Sequence, residues 1–257
     1  MLPPKEFQRI FTAGVQAGQY PSRLYKYRGF DPNTESIFKD HSLWFADFKT
    51  FNDPFDCQIQ DPGGYTRDEI IRYLMSRGSL DAANAEQIAD AQIQSPGFFP
   101  KLLEKVKQLV LGNKGILSLS TEPDNILMWS HYAASHSGFV LGFDVLKDIQ
   151  FFNAPIRVHY NANYPTFRYL LQIDKIAEIG LGTKSDLWGY EGEIRIIKDT
   201  QGLHTFDPSC LAEVVLGCGM KSPEKDSLLR FLNTYGYAHV MVKQAKPSRT
   251  SYKLELV

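Results

Sequence analysis

Apolar residues recur at helical spacing between residues 66 and 111. Thr66-Arg67-Asp68-Glu69 fits a capping box, and Ile70, Ile71, Leu74 and Met75 follow it on one face. The spacing predicts a second helix over residues 81–93. A third runs from about residue 98, with Leu102, Leu103, Val106, Leu109 and Val110 on one face. Ser95-Pro96-Gly97 breaks the pattern between them. No long flexible linker flanks this region, so it reads as a helical insertion in a single domain spanning residues 1–257.

Elsewhere the period shortens to two, the alternation of a half-buried strand. Strands are expected at residues 24–27, 42–46, 115–121, 138–144, 156–160, 213–217, 238–243 and 252–257. Residues 125–134 and 165–179 read as helices, and Ser222-Pro223-Glu224 opens another. Residues 1–22 suggest a short helix and a lead-in. Phe51-Asn52-Asp53-Pro54-Phe55-Asp56 is a turn-rich loop. Short strands around longer helices, without regular βαβ alternation, predict an α+β fold.

The run Trp188-Gly189-Tyr190-Glu191-Gly192-Glu193-Ile194-Arg195-Ile196-Ile197 also reads as a strand. Alternation puts Glu191, Glu193 and Arg195 on one face, and Tyr190, Ile194 and Ile196 on the other. Two carboxylates on one face repel, so folding alone gains nothing from the pair. Paired carboxylates on a rigid element suit acid/base work or the stabilisation of a developing cation. The bland alternative is a solvated edge strand on which Arg195 offsets the acids. Trp188 and Tyr190 favour a partly dry pocket wall instead.

Three further groups of residues carry possible chemistry. Ser118 and Ser120 share one face of the strand at 115–121, as at the border of a polar cleft or simply toward water. Trp129-Ser130-His131-Tyr132 precedes a buried strand, and Tyr132 offers a ring for stacking. His131 and His136 are five apart, the wrong interval for two metal ligands on one helix face, so no metal site is expected. Asn52 and Asp53 lie in a loop that reads first as an Asx-type turn and second as a binding rim. The phosphate-loop, dinucleotide-fold and serine-elbow signatures are missing, which weighs against kinase, dehydrogenase and serine-hydrolase chemistry.

Composition narrows the class. The 257 residues are 43% hydrophobic and 22% charged, typical of a globular chain, and the net charge of −1 argues against a general nucleic-acid coat. No apolar stretch approaches ~18 residues, and the first residues lack a leader's apolar core, so no membrane span is expected. Three cysteines without zinc spacing suggest free thiols in the cytoplasm.

Four motifs in order resemble a bacterial family catalogued as a domain of unknown function, number 2971, which recurs near phage-defence and mobile elements. They are Leu24-Tyr25-Lys26-Tyr27, the loop from Phe51 to Asp56, Met128-Trp129-Ser130-His131-Tyr132-Ala133 with His136 and Gly138, and Trp188 to Arg195. The resemblance covers about residues 24–220, and the family name carries no chemistry.

A weaker similarity to toxin-type ADP-ribosyltransferases does carry chemistry. That group has an aromatic residue with Arg or His on a first strand, a Ser-Thr-Ser strand, and Glu/Gln-x-Glu followed by aliphatic residues. Here the counterparts are Tyr27-Arg28, Ser118-Leu119-Ser120-Thr121 and Glu191-Gly192-Glu193-Ile194-Arg195. Leu119 interrupts the hydroxyl run, and the first motif residue stays open among Tyr25, Lys26, Tyr27 and Arg28.

The resemblance implies a split β-sheet core with a helical insertion, and NAD as substrate. It implies Glu193 as the group facing the ribose cation and Glu191 as acceptor-side partner. Tyr25, Lys26, Tyr27, Arg28, Ser118, Ser120, Trp129, His131 and Tyr132 would bind NAD, and Asn52, Asp53, Trp188 and Tyr190 would border the acceptor. The acceptor would be a macromolecule, RNA, DNA or protein. The setting would be a toxin or antiphage effector with an antitoxin or regulatory partner. Two alternatives stand beside it. One is a magnesium-dependent nuclease using Asp53, Asp56, Glu191 and Glu193. The other is a non-enzymatic module that senses a phage component.

Overall fold

A computed structural model describes residues 4–76, 78, 80–95 and 97–257; Pro96 of the expected helix break and the first three residues fall outside it. The chain divides into two compact units. The first comprises Met1–Ala46, Gly115–Val158 and Leu187–Val257, and the second Asp47–Lys114 and His159–Asp186. The second is wider than the helical stretch at 66–111, because it also takes in the segment after residue 158.

Period-two sequences build the first unit's sheet. Its strands are β1 (Arg23–Arg28), β3 (Gly115–Ser120), β4 (Phe139–Asp144), β5 (Ile156–Arg157), β8 (Glu193–Lys198), β10 (Leu211–Leu216), β11 (Met241–Pro247) and β12 (Leu254–Leu256). They lie side by side as β12-β11-β10-β4-β1-β3-β8-β5, antiparallel except for β10 and β11. A separate two-stranded antiparallel sheet pairs β2 (Ser42–Phe45) with β9 (Gly202–Thr205). The fold is mixed α+β with a large, mostly antiparallel sheet.

One face of the sheet carries Leu24, Leu117, Leu119, Leu141, Phe143, Ile194, Ile196 and Val214. The amphipathic helices α1 (Pro4–Gln16), α2 (Thr34–Lys39) and α9 (Ser222–Thr234) cover it with Phe11, Phe38, Leu228 and Leu232. The other face is more polar. There α6 (Ile126–Tyr132) packs Met128 and Trp129 against Tyr27, Val140 and Val215.

The second unit holds the three expected helices as α3 (Arg67–Ser76), α4 (Ala82–Ile93) and α5 (Phe98–Leu111). The helix expected at 165–179 is two short ones, α7 (Tyr169–Gln172) and α8 (Ile176–Leu181), joined by a 3₁₀ turn. The strand expected at 156–160 is cut at Val158 into β5 and β6 (His159–Asn161), and β6 pairs with β7 (Thr183–Ser185) in the second unit. Ile59, Ile70, Ala89, Leu103, Phe167 and Ile176 form that unit's own core.

Candidate functional site

Register aligns a polar row across the first unit's sheet. Ser120 of β3 lies opposite Glu193 of β8, and on its other side opposite Tyr25 of β1. Tyr25 in turn faces Gly142, and Gly142 faces Glu213 of β10. Directly opposed residues in antiparallel strands point to the same side, so Glu193, Ser120, Tyr25 and Glu213 share one face. Glu193 and Tyr25 are two strand spacings apart, about 10 Å.

The sheet is nearly divided in the middle of this row. β1 meets β3 at the single register position Tyr25–Ser120, although both strands run six residues. Lys26 fills the breach, donating from Nζ to the Ser118 carbonyl at 3.0 Å. Burial pushes the Lys26 ammonium down to about 8, helped by Arg28; the carboxylates Glu193 and Glu191 pull the other way without prevailing.

Trp188 to Glu191 was expected to continue the strand; instead Asp186–Glu191 is a 3₁₀ helix and the strand starts at Glu193. The cause lies in where the backbone carbonyls go. Asn125 Nδ2 donates to Tyr190 O at 2.9 Å, Ser120 Oγ to Glu191 O at 2.7 Å, and the Thr121 amide to Gly192 O at 3.2 Å. The Tyr190 and Glu191 carbonyls are thus taken by side chains and are lost to a strand ladder, and backbone pairing with the β3 segment resumes only at Gly192. Gly192 makes the switch at φ +51°, where a Cβ would stand 2.7 Å from Thr121 Oγ1.

Both glutamates are nevertheless buried, as is Arg195 at 0% exposure. Arg195 grips Glu193 with two nitrogens, Nε to Oε1 at 2.8 Å and an Nη to Oε2 at 3.0 Å. That bidentate geometry fixes the carboxylate's plane. Glu191 accepts the Tyr132 phenol at 2.6 Å. Around it His131 packs on Tyr190 at 6.0 Å and on Trp188 at 6.3 Å, with Trp188 and Tyr190 5.9 Å apart. The aromatic rim is half-buried, apart from His131, which is exposed.

Several residues singled out from the sequence have other employment. Trp129 is wholly buried, and its indole N–H donates to Pro123 O at 2.8 Å. Tyr27 is buried against Trp129, and its phenol donates to Glu122 O at 2.7 Å. Arg28 pairs with Asp31 at 2.9 Å. Asn52 and Asp53 belong to the second unit, where Asp53 is buried and accepts the Phe55 amide at 2.9 Å in an Asx-type turn. Asp56 lies 3.6 Å from buried Lys184 in that unit. Among the described residues, no group of three or more His, Cys, Asp or Glu side chains is placed to hold a metal ion.

Sequence reasoning missed Asn125. Its Oδ1 caps α6 by accepting from the amides of Leu127 and Met128, while its Nδ2 holds the turn that bears Glu191. An Asn just before an apolar run was the available signal. Also missed was Glu213, which accepts from Arg23 and Tyr25 at 3.1 Å and pairs with Lys243. Burial alone would raise its carboxyl, but the hydrogen bonds from Lys243 and Arg23 outweigh burial and hold it below the usual range. Tyr25 is pushed up to about 12 by burial and by Glu213.

A family model described as "Protein of unknown function (DUF2971)" matches residues 128–196. The family resemblance is borne out over that stretch. The DUF2971 match starts in α6 at Met128 and ends in β8 at Ile196, so it contains Tyr132, Glu191, Glu193 and Arg195. No curated protein and no solved structure matches the chain. The three cysteines are free, with Cys218 exposed, and no described helix is long and apolar enough to cross a membrane.

Proposed function

We propose that the protein is an NAD-dependent ADP-ribosyltransferase acting on a macromolecule, built on a split-sheet core of the kind those enzymes use. One observation carries the reading: the first-strand motif, the serine strand and the Glu-x-Glu strand are neighbours, with Tyr25, Ser120 and Glu193 in register across them. The breach between β1 and β3, bridged by Lys26, supports it further.

The donor set suits a dinucleotide. Lys26 supplies a cation for the pyrophosphate, Ser118 a hydroxyl for the ribose, and Tyr132, Tyr190 and Trp188 rings for stacking, while the buried Ser120 hydroxyl holds the turn that bears Glu191 through its carbonyl. In the reaction the bond from ribose C1′ to nicotinamide breaks, and its electron pair leaves with nicotinamide. Positive charge grows on the ribose, and Glu193, held in one plane by Arg195, faces it. The acceptor atom then bonds to C1′, and its proton passes to Glu191, which Tyr132 orients.

The test is incubation of the protein with NAD, with and without cellular RNA, DNA and protein, following released nicotinamide and modified product. Glu193→Gln should lower nicotinamide release about 10²–10³-fold, the usual loss for one electrostatic stabiliser. Glu191→Gln should keep slow NAD hydrolysis while losing transfer. Full activity in Glu193→Gln, checked to be folded by circular dichroism, would exclude the assignment.

A further inference from the structure

The first unit has an open cleft away from the Glu193 row. Its volume is about 860 Å³, and its lining includes Ser135, His136, Arg249, Ser251, Tyr252 and Lys253. One wall is the loop between β11 and β12, and the other is the turn that follows α6. Each wall has a feature that folding does not require.

On the loop wall, Tyr252 is 100% exposed. It is not on a loose end. The Ser248 amide donates to Lys253 O at 3.0 Å and the Lys253 amide to Ser251 O at 2.9 Å, closing a tight turn around it. Cations flank it at Arg249 and Lys253. Residues 241–257 hold Lys243, Lys246, Arg249 and Lys253 against one acid, Glu255, a net +3. With −1 for the whole chain, the remainder carries −4. Lys243 pairs with Glu213, whereas Lys246, Arg249 and Lys253 make no ion pair among the described residues.

On the turn wall, Ala134, Ser135 and His136 all take left-handed backbone angles, φ +46°, +52° and +68°. Three successive non-glycine residues in that region store strain, which persists where the surroundings enforce it and clusters at functional sites. His136 stacks on Trp129 at 6.4 Å and meets Ser130 Oγ through Nε2 at 3.0 Å. Its Nδ1 is buried with no hydrogen-bond partner among the described residues. A buried polar atom left so is uncommon in a folded chain and adds to the strain stored in this turn.

We infer that this cleft binds single-stranded nucleic acid, with a base stacked on Tyr252 and the adjoining phosphates on Arg249, Lys253 and Lys246. A held, solvent-facing ring between cations matches the two needs of an unpaired strand, a π-platform and backbone neutralisation. A duplex hides its base faces and meets only the second need. The inference concerns where a strand lies, and it stands apart from the transfer chemistry.

The test is fluorescence anisotropy of the full chain, without NAD, on labelled oligo-dT and oligo-U of about 12 nucleotides, within the usual single-strand site size. A blunt duplex and phosphatidylserine vesicles serve as comparisons. Saturable binding of either oligomer, tighter than the duplex, is expected; the two arms tell DNA from RNA. For three phosphate contacts, affinity should fall about 20-fold between 50 and 200 mM salt. Tyr252→Ala should weaken binding about 5- to 150-fold, the usual loss for one stacked base, while Tyr252→Phe keeps it. Arg249→Ala with Lys253→Ala should weaken binding and flatten the salt dependence. All three positions are exposed, so unchanged melting temperatures are expected.

The inference fails if neither oligomer binds below about 10⁻⁴ M, the weak end of non-specific binding. It also fails if Tyr252→Ala binds like the wild type, if the duplex binds equally well, or if only the vesicles bind. Because no NAD is present, failure here leaves the transferase reading standing, and failure to release nicotinamide leaves the strand-binding cleft standing.

Discussion

Glu193 and Arg195 form a buried, bidentate ion pair, whereas Lys26 carries a charge that burial makes conditional on pH. A bidentate, fully buried guanidinium is an expensive way to hold one carboxylate, since desolvation offsets much of the attraction. Its return is orientation, which a cation-facing group needs more than stability. Lys26 is different, because its charge is conditional. Its ammonium is held down to about 8 against an ordinary 10.5, chiefly by burial. Below about 8 both folded and unfolded chains carry the proton, and the burial penalty is felt in full. Between about 8 and 10.5 the unfolded chain binds more protons than the folded one, so this group's contribution to stability rises with pH. A pyrophosphate contact moves the opposite way, since it disappears as the proton leaves. Denaturant midpoints should therefore rise from pH 8 to 10 for the wild type relative to Lys26→Met. Over the same range kcat/KM for NAD should fall, and Lys26→Arg should carry the plateau higher, because a guanidinium keeps its proton. A flat kcat/KM across pH 7–10 would remove Lys26 from the site.

At the scale of elements, a seven-residue helix and a six-residue 3₁₀ turn are held together through Asn125. Asn125→Ala removes both the cap and the tie, and a lost cap costs about 0.5–2 kcal/mol. Asn125→Asp keeps an acceptor for the amides of Leu127 and Met128 but turns an oxygen toward the Tyr190 carbonyl. The expected result is near-normal thermal stability for Asn125→Asp with a clear loss of kcat/KM, and a loss of both for Asn125→Ala. Equal activity in wild type and Asn125→Asp would mean that the Tyr190 tie does not position Glu191. This junction also marks the limit of what the sequence made legible. Alternation alone put Ser118 with Ser120 and Glu193 with Arg195 on shared faces, because β3 and β8 are regular strands. Alternation failed for Glu191, since side chains remote in sequence claim the carbonyls of Tyr190 and Glu191 and Gly192 turns left-handed. Longer helices such as α5 declared themselves by spacing. The short α2 was hidden behind Pro32-Asn33, and β7 and β9 are brief and polar, stabilised by partners that no local window contains.

At the scale of the whole molecule, two units have separate apolar cores and unequal chemistry. Glu191, Glu193, Lys26, the serine strand and the basic loop all belong to the first unit, whose sheet has one face given to packing and another shared between polar groups and the α6 cluster. The second unit's described centre is packing: Phe167 is wholly buried among Ile59, Ile70, Leu103 and Ile176. Its ends come from two stretches of chain, Asp47–Lys114 and His159–Asp186, so its core must close a long loop before burial rewards it. Truncating that centre should therefore act within the unit. Phe167→Ala is expected to cost about 3–5 kcal/mol, the range for a large buried aromatic. Amide exchange should quicken across α3, α5 and α8, which share that core, while β4 and β10, whose apolar side chains belong to another cluster, should change less. Uniform acceleration through all of these elements would mean that the two cores open as one cooperative body. Acceleration confined to the second unit would mean that its stability can vary without disturbing the row from Glu193 to Tyr25, and nicotinamide release measured on the same variant would then stay near the wild-type rate.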